Sequence, residues 1–183
     1  MRARTRDALF AAGFAACVAA QFAGSAFWAP AASAQAAAVQ AVSAQEIAPF
    51  SRGSFDSIRK AHAGRPLIVH FWSVTCAICV AELADWGKLA RETPGVDFVF
   101  VNADPESDRR RAEARMEKAG LRQAANFAFA DRFVERLYFE VDRHWEGEMP
   151  FTALVAADGG LMTEIGALDD LKLARWLEGK GRR

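Results

Sequence analysis

The chain has no net charge: 23 Lys and Arg are matched by 23 Asp and Glu over 183 residues. Without a basic excess or a basic stripe there is no electrostatic case for nucleic acid, and that partner class is excluded. Histidine and cysteine are equally sparse, three of each. His62, His70 and His144 do not form an H-x3-5-H spacing, and no second pair accompanies Cys76 and Cys79, so a four-ligand zinc site lacks its ligands. Val80 follows Cys79 where C-x-x-C-H would require histidine, which excludes covalent haem.

What the chain does have is a hydrophobic fraction of 52%, enough for the core of one ordinary domain. Residues 1–34 combine a basic start (Arg2, Arg4, Arg6), a long Ala/Phe/Val run and an A-x-A pattern at Ala32, Ser33 and Ala34. This reads as an export signal cut before Gln35, or as an uncleaved anchor, since Ala8 to Ala29 is nearly long enough to cross a bilayer. No Arg-Arg pair points to the twin-arginine route, and Cys17 sits mid-run, a poor lipidation site. Either way the remainder is placed in the periplasm, with membrane contact only through the N-terminal segment. Loss of residues 1–34 leaves a mildly acidic chain with Cys76 and Cys79 as its only cysteines, in a compartment where disulfides persist.

Residues 35–49 are Ala/Gln/Ser/Val-rich without apolar periodicity and read as a flexible linker; residues 50–183 read as the folded domain. Ser54 is placed to cap a short helix that carries Phe55 and Ile58 and stops at Gly64. Leu67 onward is an apolar strand. Val80, Leu83, Trp86, Leu89 and Ala90 then recur at helical spacing, with Gly87 marking a bend. Val96–Val101 is a second strand, giving a strand-helix-strand unit whose default is a right-handed parallel crossover.

Asp104-Pro105 reads as a helix start with Asp104 as cap, closed by Gly120. Arg109, Arg110 and Arg111 alternate with Glu106, Asp108, Glu113 and Glu117, which makes a solvated, salt-bridged face rather than a basic patch. Asn126–Ala130 is a short strand, Phe133–Val141 a helix and Asp142–Met149 irregular. Phe151–Ala156 and Leu161–Ile165 are strands joined by the turn Ala157-Asp158-Gly159-Gly160. A last helix over Asp169–Glu178 is expected to bury Leu173, Trp176 and Leu177.

The stretch LIVHFWSVTCAICV places two thiols where a strand hands over to a helix. A purely structural bridge here would close a four-residue loop and add only about 2 kcal/mol by the loop-entropy model. Redox chemistry uses the position better. At a helix N-terminus the Cys76 thiol faces unpaired N–H groups and the positive end of the dipole, which stabilise its thiolate. Cys79, one turn on and less exposed, is placed to attack the mixed disulfide and release the partner.

These segments resemble the thioredoxin superfamily, most closely its exported TlpA/ResA-like branch. HFWSVTCAIC is similar to the active-site segment, VFVNAD to the second strand, EMPFTALVAADGGLM to the cis-proline hairpin and GAL to the turn before the last helix, together spanning about residues 54 to 178. The resemblance implies an α/β fold with a central mixed sheet flanked by helices and an inserted strand-helix unit. It implies a cis peptide at Pro150 beside the cysteine pair, with the Met149 backbone pairing to an extended substrate. No cofactor beyond the redox-active Cys76–Cys79 disulfide is implied. The implied partners are a protein disulfide substrate and a membrane thiol-electron donor, in cytochrome c maturation or the upkeep of metal-site cysteines.

The chain departs from that pattern in places. Thr75 stands where relatives usually have Trp before the first cysteine, and Trp145 is offered as a replacement lid. Ala77-Ile78 carries no charge or imidazole to stabilise the Cys76 thiolate further, which favours a reductant or mild exchanger over a strong oxidant. His70, six residues before Cys76, occupies the position of a buried Asp or Asn in relatives. It reads either as the proton acceptor in resolution by Cys79 or as a core histidine bonded to backbone. A copper-handling module using the Cys76 and Cys79 thiolates, with Met149 or His144, is the alternative. A peroxidase is disfavoured, because Val69 and Ser73 replace Pro and Thr of the P-x3-T-x2-C pattern.

Overall fold

The structure is a computed structural model that describes residues 47–179. The expected export signal and most of the expected linker lie outside the described residues. Six strands form one sheet in the order β1-β4-β3-β2-β5-β6: β1 (Ala48–Phe50), β2 (Leu67–Trp72), β3 (Asp97–Asn102), β4 (Ala125–Phe129), β5 (Phe151–Val155) and β6 (Leu161–Ile165). The first four run parallel, whereas β5 is antiparallel to β2 and to β6, so the sheet is mixed. Five helices accompany it: α1 (Ser54–Ala61), α2 (Ala77–Glu92), α3 (Arg109–Lys118), α4 (Val134–Val141) and α5 (Asp170–Gly179). The unit β4-α4, the additional strand and helix expected, lies between β3 and the β5-β6 hairpin.

Strand β2, LIVHFW, is buried at every position, as a parallel strand covered on both faces must be. Its side chains alternate between two cores. Leu67, Val69 and Phe71 pack with Val99, Phe127 and Phe151 against Phe55 and Ile58 of α1 and Leu137 and Val141 of α4. Ile68 and Trp72 pack with Phe100 and Leu154 against Cys79, Leu83 and Trp86 of α2 and Ala112 and Met116 of α3. Cys79 is therefore a core residue of the second layer.

Several expectations change at the level of local chemistry. Strand β1 begins inside the segment read as linker; it is only three residues long and carries Pro49, too little for a sequence pattern, and it forms by pairing with β4. Gly53, at φ 78°, occupies the cap position of α1, while the Ser54 hydroxyl accepts from Ser51 N–H instead of capping. Helix α2 runs through Gly87, whose role is to admit the Ala119 carbonyl oxygen: a Cβ there would lie 2.0 Å from it. Helix α3 starts only at Arg109, after a 3-10 turn over Glu106–Asp108, so Asp104 does not cap it. Leu173, Trp176 and Leu177 of α5 are half-buried rather than buried. Arg109 pairs with Glu106 and Arg111 with Asp108, the salt-bridged face expected.

Candidate active site

The β2–α2 junction places the cysteine pair. After Trp72 the chain leaves the sheet through Ser73, Val74 and Thr75, and Cys76 is the N-cap of α2 in an extended conformation, φ −87° and ψ 108°. Its sulfur accepts a hydrogen bond from Cys79 N–H at 3.1 Å. Cys76 and Cys79 are joined as a disulfide with Cα atoms 5.2 Å apart. Cys76 is partly exposed, whereas Cys79 is 0% exposed. Only one sulfur of the pair is thus open to a partner, and it sits at the positive end of a sixteen-residue helix.

The Met149–Pro150 peptide is cis. Pro150 immediately precedes β5, whose first residue, Phe151, pairs with Phe71 near the end of β2. Pro150 therefore lies at the same end of the sheet as the loop that presents Cys76. Its carbonyl accepts from Gly166 N–H at 2.7 Å, which ties it to the end of β6. Met149, Val74 and Cys76 all pack, partly buried, against the second core. The sequence-predicted residues Cys76, Cys79, Met149 and Pro150 are accordingly brought to one end of the sheet.

No family model matches the sequence, and no curated protein sequence matches it. Solved structures do. A thioredoxin-family thiol:disulfide interchange protein from Chlorobium tepidum superposes with a TM-score of 0.55 at 16% identity, covering 67% of this chain and 83% of that one. Mycobacterium tuberculosis DsbF gives 0.53 at 21% identity, over 66% and 84% of the two chains. The fold is thioredoxin-like. A secreted M. tuberculosis disulfide oxidoreductase homologous to E. coli DsbE matches at 0.50 and 20% identity, over 66% and 85%.

Within this thioredoxin-like frame His70 is 1% exposed and its ring meets Trp86 and Phe100, two residues of the core layer that also holds Cys79. Its Nδ1 is 3.0 Å from Thr152 Oγ1 and its ring stacks on Trp86 with centroids 4.5 Å apart. Its partner is thus a side-chain hydroxyl, not the backbone expected of a core histidine. The other nitrogen, Nε2, is 3.5 Å from Glu82 Oε1, and neither atom has a hydrogen-bond partner among the described residues. Burial lowers the His70 pKa to about 3 and raises that of Glu82. Burial thus keeps the His70 ring neutral and shifts Glu82 toward its protonated form. A protonated Glu82 can donate to Nε2 while Nδ1–H donates to Thr152. Glu82 borders a cleft of about 210 Å³ walled by Trp86, Leu89, Leu168 and Leu173, which gives it a route to solvent.

Glu82 escaped the sequence reading, although its place three residues after Cys79 puts it on the same helical face. Asp104 was missed because Asp-Pro resembles a helix start. It is buried, and its carboxylate accepts from Ser73 Oγ, from Val74 N–H at 2.7 Å and from Asn102 Nδ2 at 2.6 Å. Thr75 is exposed and joins the same group through Ser73, 2.7 Å away.

Trp145 is not a lid. It is 3% exposed, stacks on Phe151 at 4.1 Å and donates its indole N–H to Glu148 O, all within the first core, opposite the layer that holds Cys79. Burying its large ring stabilises more than exposing it over a thiol would. Ile78, 54% exposed, is instead the large apolar side chain beside Cys76. His144 is 94% exposed and bonded to Asp142. No group of three His, Cys, Asp or Glu able to hold a metal ion occurs among the described residues, nor a helix long and apolar enough to cross a membrane.

Proposed function

We propose that this chain is an exported thiol–disulfide oxidoreductase that reduces or exchanges disulfides in protein substrates. The observation that carries the reading is the asymmetry of the pair: Cys76 is partly exposed on a helix N-terminus and Cys79 is fully buried behind it, with cis Pro150 at the same end of the sheet. In the reduced protein the Cys76 thiolate attacks a substrate disulfide, forming a mixed disulfide and releasing one substrate sulfur as a thiolate. Cys79 then attacks Cys76 Sγ, closing the Cys76–Cys79 bond and releasing the second substrate sulfur. Two electrons and two protons pass from the dithiol to the substrate, and a membrane thiol carrier restores the dithiol.

Cys79 must lose its proton in a dry environment. His70 and Glu82 form the acceptor in this account: the ionised Glu82 carboxylate takes the proton with His70 Nε2 beside it, and passes it to solvent through the adjoining cleft. Pro150 keeps the neighbouring backbone at Met149 free to pair with an extended substrate segment, and Ile78 and Thr75 contribute to the docking surface around Cys76. The uncharged Ala77-Ile78 dipeptide leaves the helix dipole as the main aid to the Cys76 thiolate, which supports reductant over strong oxidant. Cytochrome c maturation and the upkeep of metal-site cysteines, with action in the periplasm, are the settings that fit a reductant of this kind. The reduction potential of the Cys76–Cys79 couple, measured against glutathione, tests the direction. A value near or below that of thioredoxin, about −270 mV, supports the reductant, and one near −120 mV overturns it.

A further inference from the structure

The loop that presents Cys76 is anchored by a charge. Asp104, 5% exposed, uses both carboxylate oxygens as acceptors: Oδ1 takes Ser73 Oγ–H, and Oδ2 takes Val74 N–H and Asn102 Nδ2–H. Ser73 and Asn102 are themselves buried. A hydroxyl has one proton, so Ser73, which donates to Asp104, must accept from Thr75, both from its N–H at 3.0 Å and from its hydroxyl at 2.7 Å. The chain of donors therefore runs inward, from Thr75 through Ser73 to Asp104, and every residue between β2 and Cys76 is held by this one carboxylate. Three donors satisfy its two oxygens, and Val74, which Oδ2 holds directly, stands two residues before Cys76.

We infer that Asp104 is a positioning residue for thiol–disulfide exchange that also sets the chemistry of Cys76: it fixes Ser73, Val74 and Thr75 so that the sulfur sits at the N-terminus of α2, and its negative charge opposes that helix end and holds back the Cys76 thiolate. The pair thereby gains order from a group that makes its reduced form less acidic. A less stabilised thiolate makes the couple more reducing, so the inference rests on the function proposed above and accounts for its direction. It also gives Thr75 a role as the outermost donor of the chain that ends on Asp104, through Ser73.

The test is the titration of Cys76 in the reduced protein, followed by the pH dependence of its alkylation with Cys79 replaced by Ser throughout. Asp104→Asn keeps the shape and an acceptor oxygen but removes the charge; the Cys76 pKa is expected to fall by about half a unit or more. Ser73→Ala keeps the charge and removes one donor from it, so the Cys76 pKa is expected to rise. A role limited to holding the loop would move both variants in the same direction. Two shifts of the same sign, or an unchanged value in Asp104→Asn, overturn the inference. If Asp104→Asn does not fold, Ser73→Ala decides alone, and an unchanged or lowered pKa there overturns it. The titration needs no substrate, so a protein inactive on disulfides would refute the proposed function while leaving this result readable.

Discussion

His70 Nε2 and Glu82 Oε1 face each other at 3.5 Å, and each lacks any other hydrogen-bond partner among the described residues. An imidazole and a carboxyl at this range invite description as an ion pair. Burial argues otherwise, because it lowers the basicity of one and raises that of the other. The arrangement is a neutral imidazole beside a carboxyl whose protonated form burial favours, one helical turn along α2 from the resolving cysteine. Its consequence is that the Glu82 carboxyl, once ionised, is a proton acceptor for Cys79 made more basic by burial.

Removal of that acceptor should show in the second chemical step alone. Glu82→Gln is expected to slow resolution of a preformed mixed disulfide by about tenfold or more while leaving the initial attack by Cys76 unchanged. Rapid-mixing measurement of both steps checks this. His70→Ala should alter the pH profile of resolution; an unchanged profile in both variants removes the pair from the mechanism.

The same burial makes stability depend on pH. His70 binds a proton near pH 6.5 in the unfolded chain and only near about 3 when folded, so its contribution is complete above 6.5 and is lost as pH falls toward 3. Glu82 works in the opposite sense: with its folded pKa raised, its contribution is complete below 4.5, its ordinary value, and declines as pH rises through it. His70→Asn should therefore lose less stability than the parent between pH 7 and pH 4, by on the order of 1 kcal/mol or more in urea denaturation. Equal losses would show that His70 does not titrate as its burial requires.

Gly87 is predicted to tolerate no side chain. Gly87→Ala would place a methyl 2.0 Å from the Ala119 carbonyl oxygen, so α2 and the end of α3 must separate. A destabilisation of about 1–3 kcal/mol in urea denaturation is expected, against the gain that alanine usually brings within a helix. A more stable variant would contradict this packing.

Trp145→Ala is expected to cost about 3–5 kcal/mol, since the ring stacks on Phe151 and lies 4.8 Å from the Phe71 ring inside the first core. Alkylation of Cys76 in the still-folded variant should proceed at the parent rate. A marked acceleration would restore the lid reading.

What the sequence conveyed and what it hid follow one physical division. Long apolar runs such as LIVHFW and VDFVFV, the thiol pair and the Pro-led hairpin are local patterns, and each became the element expected. Roles that depend on tertiary partners were not visible. Asp104 looks like a helix cap because its neighbours in sequence are Pro105 and Glu106, yet its partners are Ser73 and Val74 on another loop. Trp145 looks free because it sits in an irregular acidic stretch, yet it completes an aromatic layer. Glu82 was legible in principle from its spacing to Cys79, but only the approach of β2 shows that His70 stands opposite.

The claim on which the rest depends is that Cys76 attacks and Cys79 resolves. Its most direct measurement is mixed-disulfide trapping: Cys79→Ser and Cys76→Ser variants are each reduced, offered an oxidised protein substrate and resolved on non-reducing gels. The account predicts a stable covalent complex, lost on adding dithiothreitol, with Cys79→Ser and none with Cys76→Ser, because Cys79 is 0% exposed. A complex formed by Cys76→Ser, or by neither variant, would contradict it.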